Sequence, residues 1–315
     1  MVHYSGIWPA LVTPLTADCE VNVPVVEHLV NDLIATGISG LYVCGGTGEG
    51  VLLAPAVRRT MAEVALGAAS GRVPVMVHIG AINTEIAVGL AQHASLIGAD
   101  AISAVPPFYY SVPFSATKTH YQTITRAANV PLYVYYIPGA TGNALTPEQL
   151  LEICMLDSIA GFKYTSQDLF SLTRIMAMRD PARVNIFSGP DELFLPCLSL
   201  GVDGAVGTTY NFMPRLYIDI MESYLHGEFT EARRLQLIAT TIITKLLPLG
   251  AIAATKALLP MLGYEAGFGV PPLPRIEGDM VQQLRIALEQ AGLFDMIKRE
   301  AKYGPAGDPM RGKLA

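Results

Sequence analysis

Residues 75–105, VMVHIGAINTEIAVGLAQHASLIGADAISAV, contain the repeating unit that decides the fold. Two short apolar runs, Val75–Ile79 and Ala101–Val105, flank the stretch Thr84–Ile97, in which apolar residues recur at helical spacing. The runs are continuously apolar and do not alternate with polar residues, which is typical of a parallel sheet covered on both faces. The stretch therefore predicts a strand, a helix and a second, parallel strand.

The same rhythm continues in both directions along the chain and predicts eight strands. They are Ile7–Val12, Leu41–Cys44, Val75–Ile79, Ala101–Val105, Leu132–Tyr136, Ile159–Lys163, Asn185–Phe187 and Gly204–Val206. Helical segments lie between them, and Thr146 is predicted to cap the helix that begins at Pro147. Eight strands, each followed by a helix, make a (β/α)8 or TIM barrel. A doubly wound open sheet is the alternative, but Val12-Thr13-Pro14 lacks the glycine fingerprint that such a sheet carries after its first strand.

The chain continues well beyond the eighth strand with further helical patterns. These are Pro214–His226, Thr230–Leu247, Ala251–Leu262 and Gly278–Ala291. We therefore expect a barrel over residues 1–213 and a C-terminal helical extension packed on it over residues 214–302. A loose tail rich in Gly and Pro is expected over residues 303–315.

Composition limits the class of protein. Hydrophobic residues make up 51% of the 315 residues and charged residues 15%, which excludes a disordered chain. The net charge of −6 argues against a nucleic-acid partner. The mean hydropathy is +0.38, yet the most apolar stretch, Ile242–Leu262, is interrupted by two lysines and two prolines, so no membrane partner is expected.

Four widely spaced cysteines form no CxxC pair, and the N-terminus lacks the basic start and apolar core of a signal peptide. This pattern favours reduced thiols in the cytoplasm and neither a zinc site nor a disulfide framework.

Polar residues at the predicted strand ends are the candidates for chemistry, because these ends and their loops form the active face of such a barrel. They are Thr13, the loop Gly45–Gly50, Tyr109, Tyr135, Lys163, Thr165, Gly189, Asp191, Glu192 and Thr208. Lys163 is the only one of the seven lysines that lies in a predicted strand. Burial disfavours a charged amine, and a neutral amine attacks ketones. A lysine paired with a carboxylate at the barrel rim is the alternative.

The other candidates allow a functional and a structural interpretation each. The phenol of Tyr135 can relay protons or be an aromatic core residue. The Gly45–Gly50 loop fits no nucleotide-binding motif, but its N–H groups can hold a carboxylate, or it can be an ordinary turn. Asp191 and Glu192 can cap a helix or bind a polyhydroxylated ligand. No pattern of metal ligands and no nicotinamide or flavin motif is present, so no cofactor is expected.

Together these residues resemble the class I, Schiff-base-forming pyruvate lyases, the family that contains dihydrodipicolinate synthase and N-acetylneuraminate lyase. The stretch Gly45–Glu49 resembles the family's G-[ST]-T-G-E loop, and Gly161-Phe162-Lys163 resembles its GxK segment. Tyr135–Pro138 with Thr141-Gly142 resembles YxxPxxTG, and Pro107–Tyr110 resembles PFYY.

The resemblance implies a role for each candidate. Lys163 would form the Schiff base, so that no separate cofactor is needed. Tyr135 would move the proton, helped by Thr47 and by Tyr109, which in this family often comes from a neighbouring subunit. The loop residues Gly46 and Thr47 would hold the carboxylate of pyruvate. Residues that would select the hydroxylated end of the substrate are Thr165, Gly189, Asp191, Glu192 and Thr208. The family also implies a homotetramer arranged as a dimer of dimers.

Two departures bear on the substrate. Ala140 stands where the synthases carry an arginine for the aldehyde's carboxylate, which argues against that synthase activity. Gly189, Asp191 and Glu192 match the GxDE segment of sialic acid lyases, and Gly204–Asn211 resembles their GAxGSTYN. Gly46, however, replaces the usual Ser or Thr.

We therefore expect an aldolase that cleaves or forms a bond between pyruvate and an aldehyde, acting on a sialic acid or a 2-keto-3-deoxy sugar acid. The sequence leaves three alternatives open. They are a dihydrodipicolinate synthase, a sugar-acid dehydratase of the same family, some of which also read GGTGE, and a non-catalytic regulator that binds carboxylates.

Overall fold

Eight parallel strands form a single sheet in the order β1-β8-β7-β6-β5-β4-β3-β2. The computed structural model describes residues 3–303. The strands are β1 Gly6–Pro9, β2 Leu41–Val43, β3 Val75–His78, β4 Ala101–Ala104, β5 Leu132–Tyr136, β6 Ile159–Tyr164, β7 Asn185–Ser188 and β8 Gly204–Gly207. The first and second strands meet through a parallel bridge between Ala10 and Tyr42. This bridge nearly closes the barrel, so the predicted (β/α)8 fold is confirmed.

Helices follow the strands as the helical spacing predicts. Those of the barrel are α1 Val23–Ala35, α2 Pro55–Ala69, α3 Thr84–Leu96, α4 Phe114–Ala127, α5 Pro138–Thr141, α6 Pro147–Cys154, α7 Leu169–Met178 and α8 Phe194–Ser199. The predicted cap at Thr146 is present as a capping box. Its hydroxyl accepts the N–H of Gln149 at 3.3 Å, and the Gln149 side chain accepts the N–H of Thr146 at 3.0 Å.

The C-terminal helices pack around one side of the barrel. They are α9 Pro214–Leu225, α10 Phe229–Leu246, α11 Ala251–Leu258, α12 Asp279–Gln290 and α13 Leu293–Tyr303. The stretch predicted as one helix up to Leu262 changes to a 3-10 turn at Leu259, where Pro260 cannot donate to an α-helical ladder. The helix α13 has no counterpart among the predicted helices. Apart from Tyr303, the predicted tail lies outside the described residues.

None of the helices between residues 3 and 303 combines the length and the apolar character that a membrane crossing requires. One pair, Phe229–Leu249 with Ala251–Leu262, reaches the required length and composition together but is bent by 106°.

Aromatic side chains fill the inside of the barrel. Trp8 and Tyr133 both pack edge-on against Phe187, with ring centroids 5.4 and 6.0 Å apart. All three side chains are fully buried. A barrel filled in this way has no central pore, so the room for a ligand lies at the mouth, where the strands end.

A one-residue irregularity in β6 sets the direction of its later side chains. Leu132 pairs with Ile159, but the next residue of β5, Tyr133, pairs with Gly161, so that Ala160 is an extra residue. Ala160 lies in the barrel interior, whereas Phe162 packs in the outer layer between the strands and the helices. Side chains alternate along a strand, so this bulge places Ala160 and Lys163, three residues apart, on the same inner face.

Candidate active site

Lys163 and Tyr135 occupy paired positions on neighbouring strands at the mouth of the barrel. The amine of Lys163 lies 4.3 Å from the centre of the Tyr135 ring and 4.8 Å from that of Tyr42. The Lys163 side chain is only 5% exposed. No carboxylate among residues 3–303 forms an ion pair with it, so Lys163 is not the carboxylate-paired rim lysine of the alternative interpretation. Lys163 is a buried amine between two aromatic rings.

The Gly45–Gly50 loop forms a tight turn beside these residues. The N–H of Glu49 donates to the carbonyl of Gly46 at 2.9 Å, and the N–H of Gly50 donates to that of Gly45 at 3.0 Å. A Cβ at Gly50 would lie 1.8 Å from the carbonyl oxygen of Cys44, so only glycine fits there. The N–H groups at positions 46, 47 and 48 donate to no acceptor among residues 3–303. Successive free N–H groups of this kind make a pocket for an anion.

Gly46 lies next to the phenol of Tyr135. A Cβ built on Gly46 would meet nothing closer than the Tyr135 oxygen, at 3.7 Å. The missing side chain therefore leaves open space between the loop and the phenol, so the loop can accept a larger residue here without a clash.

Thr47 and Thr208 join the two ends of the site. Their hydroxyl oxygens lie 2.7 Å apart, within hydrogen-bonding distance. The sequence assigned Thr47 to the carboxylate end of a substrate and Thr208 to its hydroxylated end. The structure brings the two hydroxyls together, so the two ends share a hydrogen-bond network.

Asp191 is a buried carboxylate with one oxygen satisfied and one free. Its Oδ2 accepts hydrogen bonds from the N–H and the hydroxyl of Thr209, at 2.8 and 2.7 Å. Its Oδ1 is buried and has no hydrogen-bond partner among the described residues. Burial raises the pKa of this carboxyl from its ordinary value of 3.8 to about 6. Asp191 does not cap the helix that follows, so the capping interpretation does not hold for it.

A cavity of about 280 Å³ opens beside Asp191. Its polar side includes Thr165, Gly189, Asp191, Glu192 and Thr208, and its apolar side includes Ile243, Leu246, Leu247 and Ala251. Thr165 contributes a buried hydroxyl with no partner in the described chain, and a Cβ on Gly189 would lie 1.8 Å from that hydroxyl. Two residues that line this cavity thus carry unpartnered buried oxygens, which favours a ligand that carries hydroxyl groups. Among its lining residues no lysine or arginine is present.

Tyr109 is the one candidate that is not drawn into the site. It is 81% exposed, has a left-handed backbone with φ of +74°, and packs its ring against Tyr110 at 4.9 Å. The remaining candidates gather at the mouth.

Sequence reasoning gave no functional role to Tyr42 and His78, which lie near Lys163 and Tyr135. The phenol of Tyr42 donates to the hydroxyl of Ser103 at 3.1 Å, and the ring of His78 lies edge-on to Tyr135 at 5.7 Å. Burial, together with the charge of Arg58, lowers the pKa of His78 well below its usual range, so the imidazole is neutral at pH 7. Tyr42 and His78 lie in strands β2 and β3 and face the same interior as Lys163, and these strand positions are the sequence signal that could have identified them.

The cysteines and other metal-ligating side chains form no cluster. All four cysteines are free thiols, and residues 3–303 contain no group of three His, Cys, Asp or Glu side chains arranged to hold a metal.

Comparison with known proteins connects this site to a family. The model of the dihydrodipicolinate synthetase family matches residues 3–291. The N-acetylneuraminate lyase of Rhizobium meliloti (strain 1021) is 37% identical over 283 residues, which cover 90% of this chain and 94% of that protein.

Solved structures resemble the chain over nearly the same length. The CdNal protein of Clostridium difficile, crystallised in complex with mannosamine, superimposes with a TM-score of 0.87 at 30% identity, covering 91% of this chain and 99% of that one. A catalytic lysine mutant of the Ruminococcus gnavus sialic acid aldolase has a TM-score of 0.86 at 30% identity, covering 92% and 97%.

Proposed function

Because this chain belongs to the dihydrodipicolinate synthetase family and is a lyase of that family, we propose that it is a Schiff-base pyruvate aldolase for sialic acid-like sugars. Lys163 is the residue that we assign to the covalent step. The observation that carries the proposal is the placement of this buried, unpaired amine at the barrel mouth, beside Tyr135 and the free N–H groups of the loop.

The reaction begins when the amine of Lys163 attacks the C2 ketone of the sugar acid and water leaves, which gives an iminium ion. The bond between C3 and C4 then breaks, and its electron pair moves toward the iminium nitrogen to form an enamine. At the same time the hydroxyl on C4 loses its proton and becomes the aldehyde of the released amino sugar. Protonation of the enamine at C3 and hydrolysis of the iminium release pyruvate and restore the amine.

The carboxylate next to the reacting ketone binds at the loop. Its negative charge is held by the N–H groups of Gly46, Thr47 and Gly48 and by the Thr47 hydroxyl. This contact orients C2 toward Lys163, and it requires no positively charged side chain.

Tyr135 accepts the proton of the C4 hydroxyl in the cleavage direction and returns it in the synthetic direction. The hydroxyls of Thr47 and Thr208, which lie within hydrogen-bonding distance of each other, extend the proton path. We assign Tyr109 to a neighbouring subunit's site, since its exposed ring on a left-handed backbone is available to a second copy. A homotetramer acting in the cytoplasm is part of the proposal.

The hydroxylated end of the substrate occupies the cavity beside Asp191. Asp191, Glu192, Thr165 and Thr208 bind its hydroxyl groups, while the apolar side lined by Leu246 and its neighbours accommodates the methyl of an N-acyl group. A substrate with a second carboxylate, such as aspartate semialdehyde, would meet two acidic side chains and no cation here. Ala140 supplies none either. The synthase alternative is therefore not favoured.

Borohydride trapping tests the proposal. Incubation with pyruvate and borohydride should add the mass of a reduced pyruvate adduct to the peptide that contains Lys163, and Lys163→Met should remove it. The control is Lys118→Met, which changes a lysine on the exposed face of α4. An unmodified Lys163 in the wild-type protein would refute the assignment. A panel of sialic acids and 2-keto-3-deoxy sugar acids assayed for pyruvate release separates an aldolase from a dehydratase, which releases water instead.

A further inference from the structure

A buried ion pair connects the Gly45–Gly50 loop to the C-terminal helices. The amine of Lys256, on α11, lies 2.5 Å from Oε1 of Glu49, and the two side chains are 1% and 0% exposed. Lys256 also donates to the carbonyl of Phe268 at 2.9 Å, and the second carboxylate oxygen of Glu49 accepts the N–H of Val270. Glu49 is thus attached to the extension at two points.

The backbone of Glu49 shapes the part of the loop that faces the substrate. Glu49 adopts a left-handed conformation with φ of +58°, which non-glycine residues rarely adopt. Its N–H closes the turn by donating to Gly46 at 2.9 Å, and its carbonyl accepts the N–H groups of Leu52 and Leu53. A shift of Glu49 would therefore rotate the peptide groups of Gly46 and Thr47, whose N–H groups are free.

A buried ion pair of this kind is expected to add little to the stability of the fold. Desolvation of two charges offsets much of their attraction, and well-packed apolar replacements are often tolerated. A buried pair is better attested as a means of specifying one geometry. Here the pair joins elements far apart in sequence, and one of them carries the anion pocket.

We propose that Lys256 and Glu49 are positioning residues for the carboxylate of the 2-oxo acid. They act through the loop, whose N–H groups they hold in the orientation that binds the anion, and they do not touch the substrate. This inference rests on the proposed function. It predicts that loss of the pair weakens binding of pyruvate and leaves the intrinsic reactivity of Lys163 intact.

The test compares three proteins by borohydride trapping over a range of pyruvate concentrations. Removal of one partner leaves a buried unpaired charge, so the informative variant is the double replacement Glu49→Gln with Lys256→Met, which removes both charges. Asp203→Asn is the matched control. It removes the charge partner of Arg179, at 2.7 Å, next to the start of β8 and thus at the end of the barrel opposite the site.

The double variant should need at least 10-fold more pyruvate for half-maximal trapping, with the same maximal extent of labelling. Asp203→Asn should change the half-saturating pyruvate concentration by less than 2-fold, even if it lowers the melting temperature more than the double replacement does. An unchanged half-saturating concentration in the folded double variant would overturn the inference while leaving the aldolase assignment standing. Failure of the wild-type protein to trap pyruvate would count against the proposed function itself.

Discussion

Replacement of Asp191 by asparagine should stabilise the protein and impair its reaction with sugars. Burial raises the pKa of this carboxyl from 3.8 to about 6, so the folded protein holds the proton more tightly than the unfolded chain does. The associated stability is fully present below pH 3.8 and is lost as the pH rises through 6. At pH 8 the ionised, buried carboxylate therefore lowers the free energy of unfolding by roughly 3 kcal/mol, at about 1.4 kcal/mol per pH unit.

Asparagine imitates the protonated carboxyl and keeps an acceptor for the N–H of Thr209. We expect Asp191→Asn to raise the free energy of unfolding by up to about 3 kcal/mol at pH 8 and by about half as much at pH 5. Urea titrations of both proteins at the two pH values measure this difference. Glu192→Gln, a neutralised carboxyl on the same cavity but less buried, is the control for the loss of a charge alone.

The same substitution should reduce kcat/KM for the sugar acid roughly 10- to 100-fold, on the scale of a lost charged hydrogen bond. Trapping of pyruvate should not change, because the carboxylate end of the site is intact. In the wild-type protein kcat/KM should fall as the pH drops through 6, and this step should be missing in the variant. Two results would refute the reasoning about burial. One is an Asp191→Asn protein that is less stable than the wild type at pH 8, and the other is a difference in free energy of unfolding that does not grow between pH 5 and pH 8.

Two further substitutions test the other end of the site. Tyr135→Phe should lower kcat for cleavage at least about 100-fold, because the proton acceptor is lost. Pyruvate adduct formation on Lys163 should change much less. Equal losses in single-turnover cleavage and in pyruvate trapping would contradict the proton role of Tyr135. Gly46→Ser should fold with an unchanged melting temperature, since only the Tyr135 oxygen lies near the new Cβ, at 3.7 Å. Its hydroxyl can hydrogen-bond to that phenol, so kcat should rise by a few-fold, on the scale of about 1 kcal/mol, and a drop in kcat would argue against an open space there.

Local patterns in the sequence were enough for the barrel and for most of the site. Continuous apolar runs mark strands that are buried on both faces, and the observed strands agree with the predicted ones to within one residue at each end, except that β1 ends three residues earlier. Lys163 stood out because the other lysines lie in helical patterns or in the tail. Chemistry that depends on residue type at a strand end is visible in sequence.

Features that depend on a distant partner were not predictable in the same way. Nothing near Asp191 in the sequence indicates that Thr209 holds one of its oxygens, and nothing near Glu49 points to Lys256. Such contacts come from the packing of helices on the barrel. The change to a 3-10 turn at Leu259 was missed because the apolar pattern continued through Pro260.

The extra residue in β6 decides which side chain of this strand lies at the barrel mouth. If Ala160 took part in a regular ladder with β5, the two sides of everything that follows would be exchanged: Phe162 would enter the mouth and Lys163 would turn toward the helices. Deletion of Ala160, by contrast, would leave Lys163 paired with Tyr135 and facing the mouth, because the residues after the irregularity already keep a regular register with β5. Any attempt to transplant this amine to another barrel must therefore copy the pairing of Lys163 with β5, either with the irregularity or without its extra residue.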